Sequence, residues 1–600
     1  MLLNTAEKYA NNVAIVYGEQ KITFANLVDR VTMLSAGFKS IGMQTGDCVA
    51  IFMSNRPEFI ESFYAISCNN AIALTLNPLY KADELIAYLM QTDAKFIISD
   101  SAGIQTCRQA VGKINKKIQI IVLGDTANNE ISYEELLTTH ISMNTTNHPL
   151  YRGEVVYQYS SGSTGQAKCI VRTQQHLLED VNIYVNSINM SSDDVTVGIV
   201  PLNHLYGFEL CVLAPICSGS KLILLEPSNL AETGKELPIV SRMNRVFELI
   251  ESEKVTILPG NQIIYQGMID SDLRHANALD FLRFCFSAGS FLPQHIFEGF
   301  KRQFGLYIRQ LYGSTETGVI TINLHEDVDN SSYGTPLNNV NVKVIDENAN
   351  PITEQYGEVL VKSPSVTQGY LKLSELNSKV FKDGWFHTGD LGMLDRENNL
   401  FLSGRKVKFI STGGYKVDPL EVEKAIKTYY KVKEVIVFGV PNTIEDEVIK
   451  AVVTLKEDCE KNEILAHCRS LVADYKLPKI IEFRDELPRD NMGKILKKHL
   501  MDSYQPNELL SQSLASKELN AEELQHIIKT ILIDACNIGN TIIELNRPFG
   551  EYGLNSINVF DMKDRIEKKF NITFSPILFW NYPTIESMSA YLADIIQESN

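Results

Sequence analysis

Five short segments pair glycines with hydroxyl and charged residues at spacings suited to phosphate and carboxylate chemistry. The first is Tyr159-Ser-Ser-Gly-Ser-Thr-Gly-Gln-Ala-Lys168. Gly162 and Gly165 let backbone amides approach an anion closely, Ser160, Ser161, Ser163 and Thr164 add hydroxyl donors, and Lys168 supplies a cation. It is not a GxxxxGK[ST] loop, because the lysine stands three residues beyond the last glycine, and taken alone it also reads as a flexible Gly/Ser turn. The second is Leu311-Tyr-Gly-Ser-Thr-Glu-Thr-Gly318, in which a tyrosine face can stack a purine, a threonine hydroxyl can meet a phosphate oxygen and a glutamate can hold Mg²⁺. In the third, Gly384-Trp-Phe-His-Thr-Gly-Asp-Leu391, Asp390 is suited to ribose hydroxyls. The fourth runs Gly404-Arg-Lys-Val-Lys-Phe-Ile410 and then Ser411-Thr-Gly-Gly-Tyr-Lys-Val417, and the fifth is Pro488-Arg-Asp-Asn-Met-Gly-Lys494-Ile495. Separately, Glu316, Asp390 and Lys494 also read as solvated surface charges.

These segments need a scaffold. From residue 1 to about 400, short apolar runs at 49–53, 95–100, 118–124 and 221–226 read as buried strands. Helix-like stretches such as Ser62–Asn70 and Ala82–Met90 lie between them, which predicts an α/β architecture with largely parallel sheets. Over 404–498 the pattern restarts as a smaller α+β unit. The stretch 503–520 is rich in Ser, Asn and Gln and poor in aromatic and β-branched residues, the composition of a linker. Beyond it Val559, Met562, Ile566 and Phe570 recur at helical spacing, and 521–600 reads as a small, acidic helical bundle with eleven acidic and six basic residues.

Composition narrows the function classes. Of 600 residues, 44% are hydrophobic and 22% charged, as in ordinary globular proteins. The net charge of −17 argues against binding a nucleic-acid backbone. Ten cysteines without a CxxC pair and eleven histidines without HxxxH argue against a zinc site and for reduced, packed thiols. The first residues lack a basic stretch followed by an apolar core, and no apolar run reaches 18 residues; the nearest, Leu210 to Leu225, is broken by Pro215, Gly219 and Lys221. The expectation is a cytoplasmic protein with no membrane and no nucleic-acid partner.

In this order and spacing the five segments resemble the adenylate-forming superfamily of acyl- and aryl-CoA synthetases, non-ribosomal adenylation domains and luciferases. The resemblance covers about residues 1–500 and implies a large domain, 1–403, and a small one, 404–502, that swings about a hinge near residue 405. It implies that Ser160 to Lys168 close over the β- and γ-phosphates of ATP, that Gly289 and Tyr312 bracket adenine, and that Thr315 touches the α-phosphate. Glu316 would ligate Mg²⁺, and Asp390 and Arg405 would hold the ribose. Lys494 would bridge the substrate carboxylate and the α-phosphate, and Gly414 would flank the tunnel for a pantetheine thiol. Lys494, Thr315 and His204 are the catalytic candidates. The chain departs from the family pattern at Ala167, Cys169 and Val407, the last in the hinge.

A sixth segment, Phe549-Gly-Glu-Tyr-Gly-Leu-Asn-Ser-Ile557, puts a serine at a loop-to-helix junction, where the backbone dipole favours a phosphodiester, though a plain helix cap has the same form. Residues 521–600 as a whole resemble a phosphopantetheine carrier domain, closer to polyketide than to peptidyl carriers, with Asn555 in place of the usual Asp. The resemblance makes Ser556 the attachment point of 4′-phosphopantetheine.

By family analogy, Pro201 to Phe208 line the acyl pocket. Neither His204 nor Leu205 can pair an α-ammonium, whose burial without a partner costs several kcal/mol. Short-acyl members carry Trp where this chain has Gly313. His204, Tyr206, Gly207, Phe208, Ala288, Leu311 and Gly313 therefore suggest a slot for an aryl or medium-chain acid. The resulting expectation is a loading module of secondary metabolism that activates a carboxylic acid with MgATP and passes it to its own carrier. Its partners would be a phosphopantetheinyl transferase and a downstream polyketide or peptide synthase component. A ligase releasing free acyl-CoA and a luciferase-like oxygenase are the alternatives.

Overall fold

A computed structural model describes residues 1–138, 151–160, 167–226, 239–271, 279–289, 292–325, 328–405, 410–412, 415–442, 446–484, 486–487, 500, 521–536, 543–552, 554, 556–570 and 578–598. The expected strands form where the apolar runs lie: Cys48–Phe52, Phe96–Ser99, Gln119–Val122 and Lys221–Leu224. The helix expected at Ser62 begins earlier, at Pro57, because proline's fixed φ suits a first helical position.

Two α/β sheets dominate. In the first, seven strands run from Ile131–Ser132 at one edge to Lys168–Thr173 at the other, all parallel except the final pair. The second has nine strands; its central six, from Ile308–Ser314 through Lys221–Leu224 to Val13–Tyr17, are parallel. Parallel strands need crossovers, and helices such as Pro57–Cys68, Ala82–Gln91 and Met243–Glu253 supply them, whereas Gln174–Ser187 links the two sheets. A large apolar core joins the two sheets around Val49, Ile51, Val197, Ile223 and Phe286, all inaccessible to water.

The expectation of largely parallel sheets fails over residues 341–405. There six strands, with Gly357–Lys362 and Trp385–Leu394 at the centre, pair antiparallel. The connections explain the difference: Asp395 accepts from Glu397 and Asn399 backbone amides and Asn398 takes φ 64°, a tight turn that returns the chain beside itself. The apolar run from Leu210 splits into a π-helix, Phe208–Leu213, a helix, Ala214–Ser218, ended by Gly219 at φ 77°, and a strand. Among the described residues no helix is long and apolar enough to cross a membrane.

Further along, Val432–Asn442, Asp446–Leu455 and Ile480–Phe483 form a three-stranded sheet backed by helices Pro419–Lys427 and Lys461–Arg469 over a separate core. A hairpin, Ile410–Thr412 with Tyr415–Val417, packs on it. The expected linker, 503–520, lies outside the described residues. After it come helices Ala521–Cys536, Ser556–Phe570, Leu578–Asn581 and Ile585–Glu598 around their own core. Val559, Met562 and Ile566 are fully buried there and Phe570 partly so.

Candidate active site

The first glycine-rich segment sits between strands Glu154–Ser160 and Lys168–Thr173, which pair antiparallel with Ser160 opposite Lys168. Ser161, Gly162, Ser163, Thr164 and Gly165 lie outside the described residues. Lys168 is buried, with its ammonium 5.1 Å from the centre of the Tyr370 ring. Segment 367–371 runs alongside: Val171 N–H donates to the Gly369 carbonyl and Leu371 N–H to that of Cys169. Tyr370 is thereby fixed between the lysine and Glu316, to whose Oε1 its hydroxyl donates at 2.9 Å. Ser160 Oγ lies 3.5 Å from the same oxygen.

Glu316 is 8% exposed and Asp390 is 3% exposed, so neither is a solvated surface charge. A buried carboxylate needs compensation, which makes such positions unusual in a structural role alone. Glu316 and Thr315 occupy the tight turn between strands Ile308–Ser314 and Gly318–Ile322. In that turn Thr317 N–H donates to the Ser314 carbonyl, and Thr367 N–H holds the Glu316 carbonyl at 2.8 Å. A single carboxylate beside a lysine and hydroxyls suits Mg²⁺ shared with phosphates, since that ion takes one or two carboxylates and completes its shell with phosphate and water oxygens.

Tyr312 and Asp390, 78 residues apart, meet directly: the tyrosine hydroxyl donates to Asp390 Oδ2 at 2.6 Å. The Asp390 backbone N–H donates to Thr388 Oγ1, and Asp390 stands opposite Arg405 in the ladder between Trp385–Leu394 and Leu400–Arg405. Tyr333 packs edge-on to Tyr312, and burial, then the Asp390 carboxylate, pushes its hydroxyl up to about 12. Gly289 follows strand Phe284–Ser287 at φ 88° with open space where a Cβ would stand.

The residues expected to line the acyl slot divide. His204 is open to water and caps the short helix Leu205–Gly207, its Nδ1 accepting from Tyr206 N–H. Protein nevertheless surrounds the imidazole, and burial, with Lys416 nearby, pushes it down to about 4. Tyr206 and Ala288 are half-buried, and the Tyr206 hydroxyl donates to the Phe286 carbonyl. Gly313 is open, yet a Cβ there would stand 2.5 Å from the Gly318 carbonyl oxygen, so the hairpin itself requires glycine. Phe208 is fully buried edge-on against Phe63, and Leu311 is 4% exposed in the same core. Gly207 is buried because any Cβ would strike the Pro201 carbonyl.

Lys416 belongs to the hairpin strand Tyr415–Val417, and its charge adds to the lowering of His204. Gly414, Lys494 and the hinge position Val407 lie outside the described residues, and only the backbone of Arg405 is described. Ser556 is the first residue of helix Ser556–Phe570, where unpaired amides give a positive end. Tyr370, which the structure sets against Glu316, is not among the residues that the sequence motifs single out. A tyrosine in an unremarkable context carries no signal; only the sheet brings it to Glu316.

The sheets, the turn bearing Thr315 and Glu316, and the Tyr312–Asp390 pair define a nucleotide-dependent acid-activating enzyme. The chain belongs to the AMP-binding enzyme family, which matches residues 2–371. The C-terminal domain of AMP-binding enzymes matches 421–494, and a phosphopantetheine attachment site matches 526–592, a span that contains Ser556. It is therefore an adenylate-forming enzyme fused to a carrier domain, and its reaction class is acid–thiol ligation. It is 28% identical over 546 residues to a long-chain-fatty-acid–CoA ligase of Bacillus subtilis, covering 84% of this chain and 94% of that one. An oxalate–CoA ligase of Arabidopsis thaliana is 28% identical over 506 residues, covering 82% and 96%. In fold it is similar to o-succinylbenzoate CoA synthetase of Bacillus subtilis (TM-score 0.73, 23% identity, 84% of this chain and 98% of that one). It is also similar to an amide bond synthetase of Marinactinospora thermotolerans (TM-score 0.74, 21% identity, 84% and 99%).

Proposed function

We propose that this chain activates an aryl or medium-chain carboxylic acid with MgATP and transfers the acyl group to a phosphopantetheine thiol on its own Ser556. In the first half-reaction a carboxylate oxygen attacks the α-phosphorus of ATP and the bond to pyrophosphate breaks. In the second, the thiol sulfur attacks the acyl carbon, AMP leaves and the thiol proton passes to solvent. Residues 1–403 and 404–502 would form the two adenylation subdomains, 503–520 the linker and 521–600 a helical carrier.

The first step brings two anions together, so cations must offset the repulsion. Lys168 and the backbone around 161–165 would receive the β- and γ-phosphates, and Thr315 and Lys494 the α-phosphate and the substrate carboxylate. Mg²⁺, when bound beside Glu316, supplies the remaining charge neutralisation. Gly289 and Tyr312 would hold adenine, and Asp390 with Arg405 the ribose. His204, neutral at pH 7, would line the acyl slot with Tyr206 and Ala288 beside Gly313. The hairpin that carries Lys416 and Gly414 would guide the arm.

The co-occurrence of an adenylation match and a phosphopantetheine attachment match on one chain carries this reading. A tether gives an effective carrier concentration on the order of mM, enough for loading in cis. The named relatives act on fatty and oxalic acids, so they share the reaction and differ in the acid. Because they are CoA ligases, release of free acyl-CoA is the second reading. Intact-protein mass spectrometry separates the two. The protein is phosphopantetheinylated and incubated with MgATP and a panel of aryl and medium-chain acids. A gain of one acyl group, lost in Ser556→Ala, is the expected result. Acyl-CoA and AMP formed on adding CoA, with no gain on the protein, would replace self-loading by the second reading.

A further inference from the structure

Behind the turn that carries Thr315 and Glu316 lies a buried ionic cluster with no assigned role. Arg172, from the strand that follows the phosphate segment, is completely inaccessible to water, and so is Asp180, from helix Gln174–Ser187. Arg172 Nη2 donates to Asp180 Oδ2 at 2.6 Å and to the Ser365 carbonyl at 3.3 Å. Asp180 Oδ1 accepts from Val319 N–H at 3.2 Å. The carboxylate lies so close over Gly318 that a Cβ there would stand 1.9 Å from it, and Gly318 takes φ 75°. Ser365 in turn donates through its hydroxyl to the Thr317 carbonyl at 2.7 Å.

One acid therefore grips the turn's outgoing strand, and one base grips the loop that braces the turn. We infer that Asp180 and Arg172 are positioning residues that set the height of the Thr315–Glu316 turn above the nucleotide, and through it the affinity for Mg²⁺-bound ATP. This rests on the reading of Glu316 as the Mg²⁺ ligand. Burying such a pair costs more than its attraction returns unless geometry or further bonds compensate, so its presence under this turn calls for a use beyond stability. A third member is Glu209 of the π-helix Phe208–Leu213, whose carboxyl is raised well above the usual range by burial and then by the nearby Asp180 charge.

The test is binding of ATP, with and without Mg²⁺, to the full-length protein by isothermal titration calorimetry, with a melting curve for each variant. Asp180→Leu keeps the branching and number of heavy atoms and removes both acceptors; at least a tenfold loss of affinity for MgATP is expected, with metal-free ATP unchanged. Asp180→Asn, whose amide oxygen still accepts from Val319 N–H while its NH2 group can no longer accept from Arg172, is expected to lose less than Asp180→Leu. If Asp180→Leu does not fold, Arg172→Lys carries the test, because the shorter lysine side chain stops short of the point from which Arg172 Nη2 bonds both Asp180 and Ser365; a tenfold loss is again expected. A folded Asp180→Leu or Arg172→Lys that binds MgATP as the wild type does overturns the inference. So does an equal loss for ATP with and without Mg²⁺, which marks a merely structural role. Wild-type protein whose ATP affinity ignores Mg²⁺ overturns the Glu316 reading, and the inference with it.

Discussion

Lys476 offers the sharpest quantitative test of how the 404–502 unit docks. Its ammonium lies 2.7 Å from Glu84 Oε1, in helix Ala82–Gln91 of the large unit, and 2.7 Å from Glu421 Oε1 of its own unit. Around it run aromatic rings: Tyr415 stacks on Tyr475 at 4.1 Å, Lys476 lies over Tyr80, and Tyr80, Tyr88 and Tyr159 follow at 4.9 and 4.3 Å. Tyr159 immediately precedes the phosphate segment. Replacing Lys476 by Met keeps the apolar stem and removes the charge. Glu84, whose side chain is 6% exposed, is then a buried anion without its cation, while Glu421, 31% exposed, can turn to water. Breaking a buried pair from one side costs about 3–5 kcal/mol, and the escape of Glu421 favours the lower end. About 3 kcal/mol is roughly a hundredfold in the docking equilibrium, since 1.4 kcal/mol is about tenfold. Hydrogen exchange reads this locally, without assuming that a multidomain chain unfolds in one step. Amides of 80–91 and 474–477 are expected to exchange about a hundredfold faster in Lys476→Met. Adding Glu84→Gln, which removes the stranded charge and keeps an acceptor for Lys81 N–H, is expected to restore most of the protection. Exchange within threefold of the wild type, with no rescue by the second change, would refute the reasoning.

Three further outcomes are expected. Lys494→Ala lowers acid-dependent pyrophosphate release by roughly a hundredfold or more, the scale for losing a charge aimed at the transition state; unchanged release would remove Lys494 from the site. Tyr312→Phe deletes a hydrogen bond to a buried carboxylate, about 2 kcal/mol; equilibrium dialysis should show roughly thirtyfold weaker ATP binding and little change for 2′,3′-dideoxy-ATP, which lacks the hydroxyls assigned to Asp390. His176 and His204 are both pushed down to about 4, chiefly by burial, with Arg172 and Lys416 respectively adding to it. Folded values below the unfolded ~6.5 mean the unfolded chain takes the proton first, so their contribution is full above pH 6.5 and lost as pH falls towards 4. His176→Gln should therefore flatten the loss of thermal stability over that window, and His204→Gln less so because His204 is open to water.

Segments whose chemistry is local were legible from residue order alone. The phosphate segment falls between two strands and the Thr315–Glu316 segment in a turn, because glycine and hydroxyl residues punctuate apolar runs in both places. The antiparallel block over 341–405 was not legible, because buried antiparallel and parallel strands share apolar composition and differ only in how their connections turn. Phe208 and Leu311 enter the slot by family analogy, and how deeply each is buried was not legible, because burial depends on which elements pack over them.

Residue type, spacing and charge alone carry the class of chemistry, the acidic balance and the module order. Which groups meet depends on how the elements pack. Tyr312 reaches Asp390, Tyr370 reaches Glu316 and Arg172 reaches Asp180 behind the same turn. Two of those three pairs are more than fifty residues apart. Even the third, only eight apart, depends on a strand and a helix packing into the core that buries both charges. Pairing across such distances is set by sheet order and burial, and no local spacing encodes it.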